Sequence, residues 1–208
     1  MKTINRLAID LIHYHPVIVM HANKMPEHDL PLTCHHSTPM DTIERFIASA
    51  ERGADGWLRF HYVVQGDIGR IAMPACARRG AKAKAQHTDE LWRHTCFEAF
   101  ISAEDDPAYV ECNFASSSAW ARYRFARYRS GMTAIVPAEP PRITLHKEHD
   151  SLVLEAQLRL GEFANQPLRI GLTAVIEDKA GGLSYWALRH PRGKPDFHHR
   201  GGFILRLA

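Results

Sequence analysis

Short motifs that announce a chemistry are missing from this chain. It has no GxSxG nucleophile elbow, no phosphate-binding loop and no glycine-rich dinucleotide fingerprint. Its four cysteines, Cys34, Cys76, Cys96 and Cys112, form no CxxC pair, which excludes a zinc knuckle and a thioredoxin-type redox motif. Fourteen histidines are many for 208 residues, yet there is no HExxH, and no spacing among them closes a zinc site of three or four ligands. No apolar run approaches the roughly 18 residues of a membrane helix. A net charge of +3, from 26 basic and 23 acidic residues, is too mild to imply a nucleic-acid partner. No repeat or low-complexity tract is visible.

What is present suits one large all-β domain. Hydrophobic residues make up 45% of the chain and charged residues 24%, enough for a real core. A domain of this size does not need disulfides, so the cysteines read as free thiols of a reducing compartment, and the expected location is cytoplasmic. The first 29 residues have apolar content broken by Asp10, His13 and His15, with neither the uninterrupted apolar run nor the cleavage site of a signal peptide. They are expected to lie outside a domain spanning residues 30–208.

Within that domain, WLRFHYVVQ (57–65) is rich in aromatic and β-branched residues and bounded by glycines, so it predicts a strand. IERFIASAE (43–51) could be a helix capped by Asp41, but a hairpin through GADG favours a strand. Residues 68–73 predict a short strand ended by Pro74, and 76–89 a polar loop. Later, RITLHKEHDSLVLEAQLRL and LRIGLTAVIEDKAGGLSYWALRH each predict a hairpin, and PRGKPDFHHRGGFILRL a proline-rich loop with a last strand. The total is eight to ten strands in short antiparallel units, the pattern of a β-sandwich.

The centre carries the chemistry. LWRHTCFEAFI (91–101) and YVECNFASS (109–117) alternate around the turn SAEDDPA. Alternation puts Phe97, Ala99, Ile101, Val110, Cys112 and Phe114 on one uniformly apolar face, which must be core. The other face carries Trp92, His94, Glu98, Glu111 and Asn113, and so should not be core. A turn centred between Glu104 and Asp105 would set Glu98 opposite Glu111, Cys96 opposite Asn113 and Phe100 opposite Tyr109. AWARYRFARYR (119–129) is either an exposed strand or a helical turn leading into one.

Four segments together resemble the bacterial DOMON-like proteins, relatives of carbohydrate-binding modules of family 9. They are LWRHTCFEAFI (91–101), YVECNFASSSAWARYRFARYRSGM (109–132), VIEDKAGGLSYWALRHP (175–191) and PDFHHRGGFILRL (195–207). The resemblance spans roughly residues 30–207. It implies a two-sheet sandwich of jelly-roll type with a ligand site on one face or along an edge. Its better-understood relatives bind sugars or haem, often outside the cell, and the chain departs from them in lacking an evident signal peptide.

Two carboxylates facing each other repel, so an arginine, a cation, sugar hydroxyls or a raised pKa should compensate. Solvated glutamates on an open face, a ligand or arginine network, and acid/base work on a glycosidic bond all remain open. Trp92, Trp120 and Trp186 could stack on sugar rings or simply pack. Arg122, Arg124, Arg127 and Arg129 could pair with the glutamates or line an ordinary charged strand. His198 is expected to be structural, its ring fixed by Asp196 or a backbone carbonyl.

The expected function is therefore non-catalytic binding of a small, polar, carbohydrate-like ligand. The expected site is Trp92, Glu98, Glu111 and Asn113, with Trp120, Arg127 and Trp186 at its rim. No cofactor or metal is required by this reading. The alternatives are a haem-binding module with His and Met ligands (Met73 and Met132 among them), a glycoside-active enzyme using Glu98 and Glu111, and a protein-interaction domain.

Overall fold

The computed structural model describes residues 29–74, 85–163 and 166–208. Residues 1–28 and Cys76 lie outside them, and with them the expectations for the N-terminal extension and for most of the 76–89 loop. Among the described residues Cys34 and Cys96 are free thiols. No helix among them is long and apolar enough to cross a membrane.

The fold is an all-β sandwich. One sheet has five strands in the order β1 (Leu30–Pro31), β3 (Ile43–Arg52), β4 (Leu58–Gly66), β11 (Ser151–Leu158) and β10 (Arg142–Lys147). The other runs β2 (Thr33–Cys34), β13 (Leu183–Ala187), β12 (Leu168–Glu177), β6 (Cys96–Ala103), β7 (Tyr109–Phe114), β8 (Ala119–Phe125) and β5 (Gln86–His87). At its margins β14 (Leu205–Leu207) pairs with β12 and β9 (Thr133–Ala134) with β8. Pairing is antiparallel except between β5 and β8. Ten of these strands have three or more residues, as the sequence suggested.

The strands at 43–52 and 58–66, and the hairpins at 142–158 and 168–187, form where alternation and turn chemistry placed them. The 68–73 segment does not form the predicted strand. Gly66 takes φ +139° at a bulge, where a Cβ would sit 2.2 Å from the Thr42 carbonyl oxygen, and the chain swings into a 3-10 turn at Ile68–Arg70. Only Ile71 then bridges, to Asp178.

The two sheets differ in how they are covered. Along β4 and β11 buried residues alternate with more exposed ones, as expected when one face meets the core and the other meets water. Along β6 and β7 almost every residue is buried. One face of these strands supplies the inter-sheet core expected from the sequence, with Phe97, Ala99, Ile101, Val110, Cys112 and Phe114 all enclosed. Phe46 and Tyr62 from the five-stranded sheet pack on Phe97, and Phe60 packs on Phe114. The Tyr62 hydroxyl crosses this layer and donates to the Glu98 carbonyl oxygen at 2.7 Å.

The opposite face of β6 and β7 was expected not to be core. It is covered instead by a second aromatic cluster of Phe100, Tyr109, Tyr123, Phe125 and Phe203, with Trp92 and Phe197 against it. The cover comes from two segments remote in sequence, residues 89–93 and 195–203. It turns an exposed sheet face into the floor of a cleft.

Candidate functional site

The β6–β7 register decides which groups meet on that floor. Glu98 pairs with Asn113, and Phe100 with Glu111. The turn thus centres one residue later than expected, between Asp105 and Asp106. There the Asp106 side chain accepts the Ala108 N–H at 2.9 Å and holds the bend. The correction moves Glu111 from a position opposite Glu98 to a diagonal one. A pairing shift of two residues keeps every side chain on its face, so both carboxyls still point to the same side.

On the same face β8 contributes Tyr123 and Phe125, β12 contributes Thr173 and Val175, and β13 contributes Tyr185. Trp92 does not continue β6 as a strand residue. It sits in a 3-10 turn at Leu91–Arg93 that begins after Glu90 in a left-handed conformation (φ 61°). This turn is tied to the sheet by the Tyr123 hydroxyl, which donates to Asp89 Oδ1 at 2.8 Å, and Trp92 meets the Tyr123 ring edge-on at 5.7 Å. His94 points away, exposed, and bonds Glu177 at 2.7 Å.

The C-terminal segment forms the facing wall through Pro195, Phe197 and His198. Asp196 fastens it. Its carboxylate accepts from the Tyr128 hydroxyl, from Arg129 Nε and Nη2, and from the His198 backbone N–H. Arg200 reaches back to the Asp106 and Glu104 carbonyls on the β6–β7 turn. Between the walls lies a cleft of about 340 Å³. That is at the small end of the roughly 300–1,000 Å³ common for ligand pockets.

Three ionisable groups meet at its base. Glu98 is 2% exposed; its Oε2 accepts weakly from the Thr173 hydroxyl at 3.4 Å, and its Oε1 has no partner among the described residues. Burial, reinforced by the charge of Glu111, pushes its pKa well above the ordinary carboxyl range. Glu111 is 5% exposed and accepts from Asn113 Nδ2 at 2.8 Å. Burial lifts it to about 7, against the lowering influence of that amide and of Arg129. His198 is depressed to about 4 by burial and by Arg129, so its ring is neutral near pH 7.

The ring's orientation follows from its partners. The Arg129 backbone N–H donates to the Tyr109 hydroxyl at 3.1 Å. The same hydroxyl is hydrogen-bonded to His198 Nδ1 at 2.8 Å. The ring's Nε2 faces Glu111 Oε2 at 3.8 Å. His198 is thus held by Tyr109, and not, as expected, by Asp196, which takes only its backbone N–H.

Trp92, Glu98 and Glu111 therefore come together in the cleft. Asn113 is fully enclosed behind them and positions Glu111, while its own Oδ1 lacks a partner among the described residues. Trp186 pairs with Ala174 on the core face and packs 5.5 Å from Phe46. Trp120 pairs with Phe114 on the same side of the sheet and also lies away from the cleft. Arg127 is exposed in the turn after β8, bridged to Ser130. Of that arginine run it is Arg129 that lines the cleft, with Met132 beside it. The residues that sequence reasoning did not place here are Phe100, Tyr123, Phe125, Tyr185 and Phe197. Parity along β8 could have found Tyr123 and Phe125; Phe197 and His198, adjacent in a polar loop, are the only local sign of the covering segment.

No family model and no curated protein matches the chain. Among solved structures, a candidate carbohydrate-binding protein from Bacteroides uniformis superposes with a TM-score of 0.58, at 14% identity, over 85% of this chain and 83% of that one. A carbohydrate-binding module of family 9 from Caldicellulosiruptor kristjanssonii, solved with glucose, gives 0.41 at 11% identity over 78% and 76%. The same module with cellotriose gives 0.44 at 12% identity over 80% and 74%. The first of these likenesses shows a shared sandwich fold.

Proposed function

We propose that the protein is a non-catalytic, DOMON-like binding module that holds a small carbohydrate-like ligand in this cleft. The observation that carries the reading is the pairing of an aromatic wall with a floor of acceptor oxygens. Trp92, Tyr185 and Phe197 offer ring faces and edges for the C–H surface of a sugar. Glu98 Oε1 and Glu111 Oε2 offer acceptors for hydroxyl donors, and Glu98 Oε1, buried with no donor among the described residues, is costly until something supplies one. The shared fold with a candidate carbohydrate-binding protein supports the reading.

Tryptophan emission tests it directly. Trp57, Trp120 and Trp186 are buried, so Trp92 is the half-exposed indole that a ligand can reach. Titration with mono- and oligosaccharides should shift emission and raise the melting temperature by mass action. The emission response should vanish in Trp92→Phe. A panel of sugars that moves neither observable would sink the proposal.

A further inference from the structure

The floor of the cleft is rich in acceptors and poor in donors. Glu98 Oε1 in the floor, 2% exposed as a residue, and Asn113 Oδ1, enclosed behind it on the cross-strand partner, both lack a donor among the described residues. Glu111 Oε1 is already taken by Asn113 Nδ2, and its Oε2 lies 3.8 Å from His198 Nε2, beyond hydrogen-bond reach. The rings that line the same cleft, Trp92, Tyr123, Tyr185 and Phe197 among them, carry π-electron density, which attracts cations. Arg129, which lines the cleft, is already bound through two guanidinium nitrogens to Asp196. Among the described residues Arg129 is thus the one cation lining the cleft, and its bonds go to Asp196, leaving Glu111 only its longer-range pull.

We infer that the ligand of this cleft carries an ammonium group, seated over Glu98 and Glu111, and is an amino sugar rather than a neutral one. An ammonium supplies three donors and a positive charge in one group, which is what this floor lacks. The aromatic walls would take the ring carbons and share the charge. The inference rests on the cleft being a sugar site and adds to it only the ligand's charge.

The titratable groups at this space are Glu98 from β6, Glu111 from β7 and Tyr123 from β8, with Tyr109 bonded to His198 and Asp89 to Tyr123. Arg129 adds to them from the turn after β8, and Asp196 and His198 from the C-terminal segment. Between about pH 5 and pH 7 an ammonium stays charged while Glu111, lifted to about 7, begins to ionise. Binding of the amine should then expel a proton from the carboxyl pair.

The test is isothermal titration calorimetry of the full chain with glucosamine, glucose and cyclohexylamine, in two buffers of different ionisation enthalpy. Glucosamine should bind at least about tenfold more tightly than glucose, with proton release, and its affinity should rise from about pH 5 to about pH 7 while that of glucose stays flat. Glu98→Gln, which keeps the side chain's shape, should remove about tenfold of that preference. Glucose binding as tightly as glucosamine would overturn the ammonium inference and leave the sugar reading standing. Cyclohexylamine binding as tightly as glucosamine would uphold the ammonium and overturn the sugar. Binding of none of the three would overturn both.

Discussion

Replacing Glu111 by glutamine should stabilise the protein, and the gain should grow with pH. In the native chain burial holds this carboxyl's pKa at about 7 instead of the ordinary 4.5. Between those two values the folded state binds more protons than the unfolded chain, so stability falls as pH rises. The contribution is fully present below about 4.5 and is lost as pH passes through about 7. At about 1.4 kcal/mol per pH unit, the full loss is about 3 kcal/mol. Glutamine cannot ionise, yet its carbonyl oxygen can still accept from Asn113 Nδ2. The variant and the native protein should therefore match near pH 4.5 and differ by about 3 kcal/mol near pH 8. For a chain of this size that is a melting-temperature gain of roughly 6–12 °C. His198 acts in the opposite sense, because its pKa falls from 6.5 to about 4 and its contribution grows as pH rises between those values. Comparing variant with native protein at each pH removes that term. The assay is thermal denaturation followed by circular dichroism across this range. A melting-temperature difference that stays constant, or that shrinks as pH rises, would refute the buried-carboxyl reasoning.

Two further substitutions separate core from cleft. Trp186→Ala removes an indole packed on Phe46 and bonded through Nε1 to Ser184, and should cost about 3–5 kcal/mol in urea unfolding while sugar affinity of the folded protein is unchanged. A comparable loss of affinity would place Trp186 in the site after all. Asp196→Ala removes the acceptor shared by Tyr128, Arg129 and His198, and should cost about 1–2 kcal/mol. Amide exchange over residues 127–130 and 195–199 should quicken, and unchanged exchange there would mean the wall is held by its aromatic packing.

The contrast between what the sequence revealed and what it hid has a physical basis. In FEAFI and YVECNF one parity is apolar throughout, so alternation alone assigned Glu98, Glu111 and Asn113 to one face and their neighbours to the core. Register was harder, since the Asp105–Asp106–Pro107 turn can close at either of two centres and only the Asp106 side-chain bond selects one. Trp120 and Trp186 escaped because both parities of β8 and β13 carry large residues, leaving alternation no contrast to read. The cover over the polar face was invisible for another reason. It depends on contacts such as His198 to Tyr109, 89 residues apart, and no local pattern encodes a contact at that range.

The same contact explains why an acidic face can be enclosed at all. Burying two carboxyls beneath aromatic rings opposes folding, and the fold offsets this by raising the Glu98 pKa, by keeping His198 neutral near pH 7 and by tying down the covering loop through Asp196. The result is a site that is strained electrostatically but fixed geometrically. Local rules of polarity are broken in this way mainly where a protein does something besides fold. A ligand that brings donors to Glu98 and Glu111 would relieve the strain, so its binding and the protein's stability should be coupled through these residues. Glu111→Gln should then act in two directions at once. It should raise the melting temperature of the free protein near pH 8 and reduce the further rise that glucosamine produces. A variant stabilised in both states by the same amount would show that the buried carboxyl and the ligand do not meet.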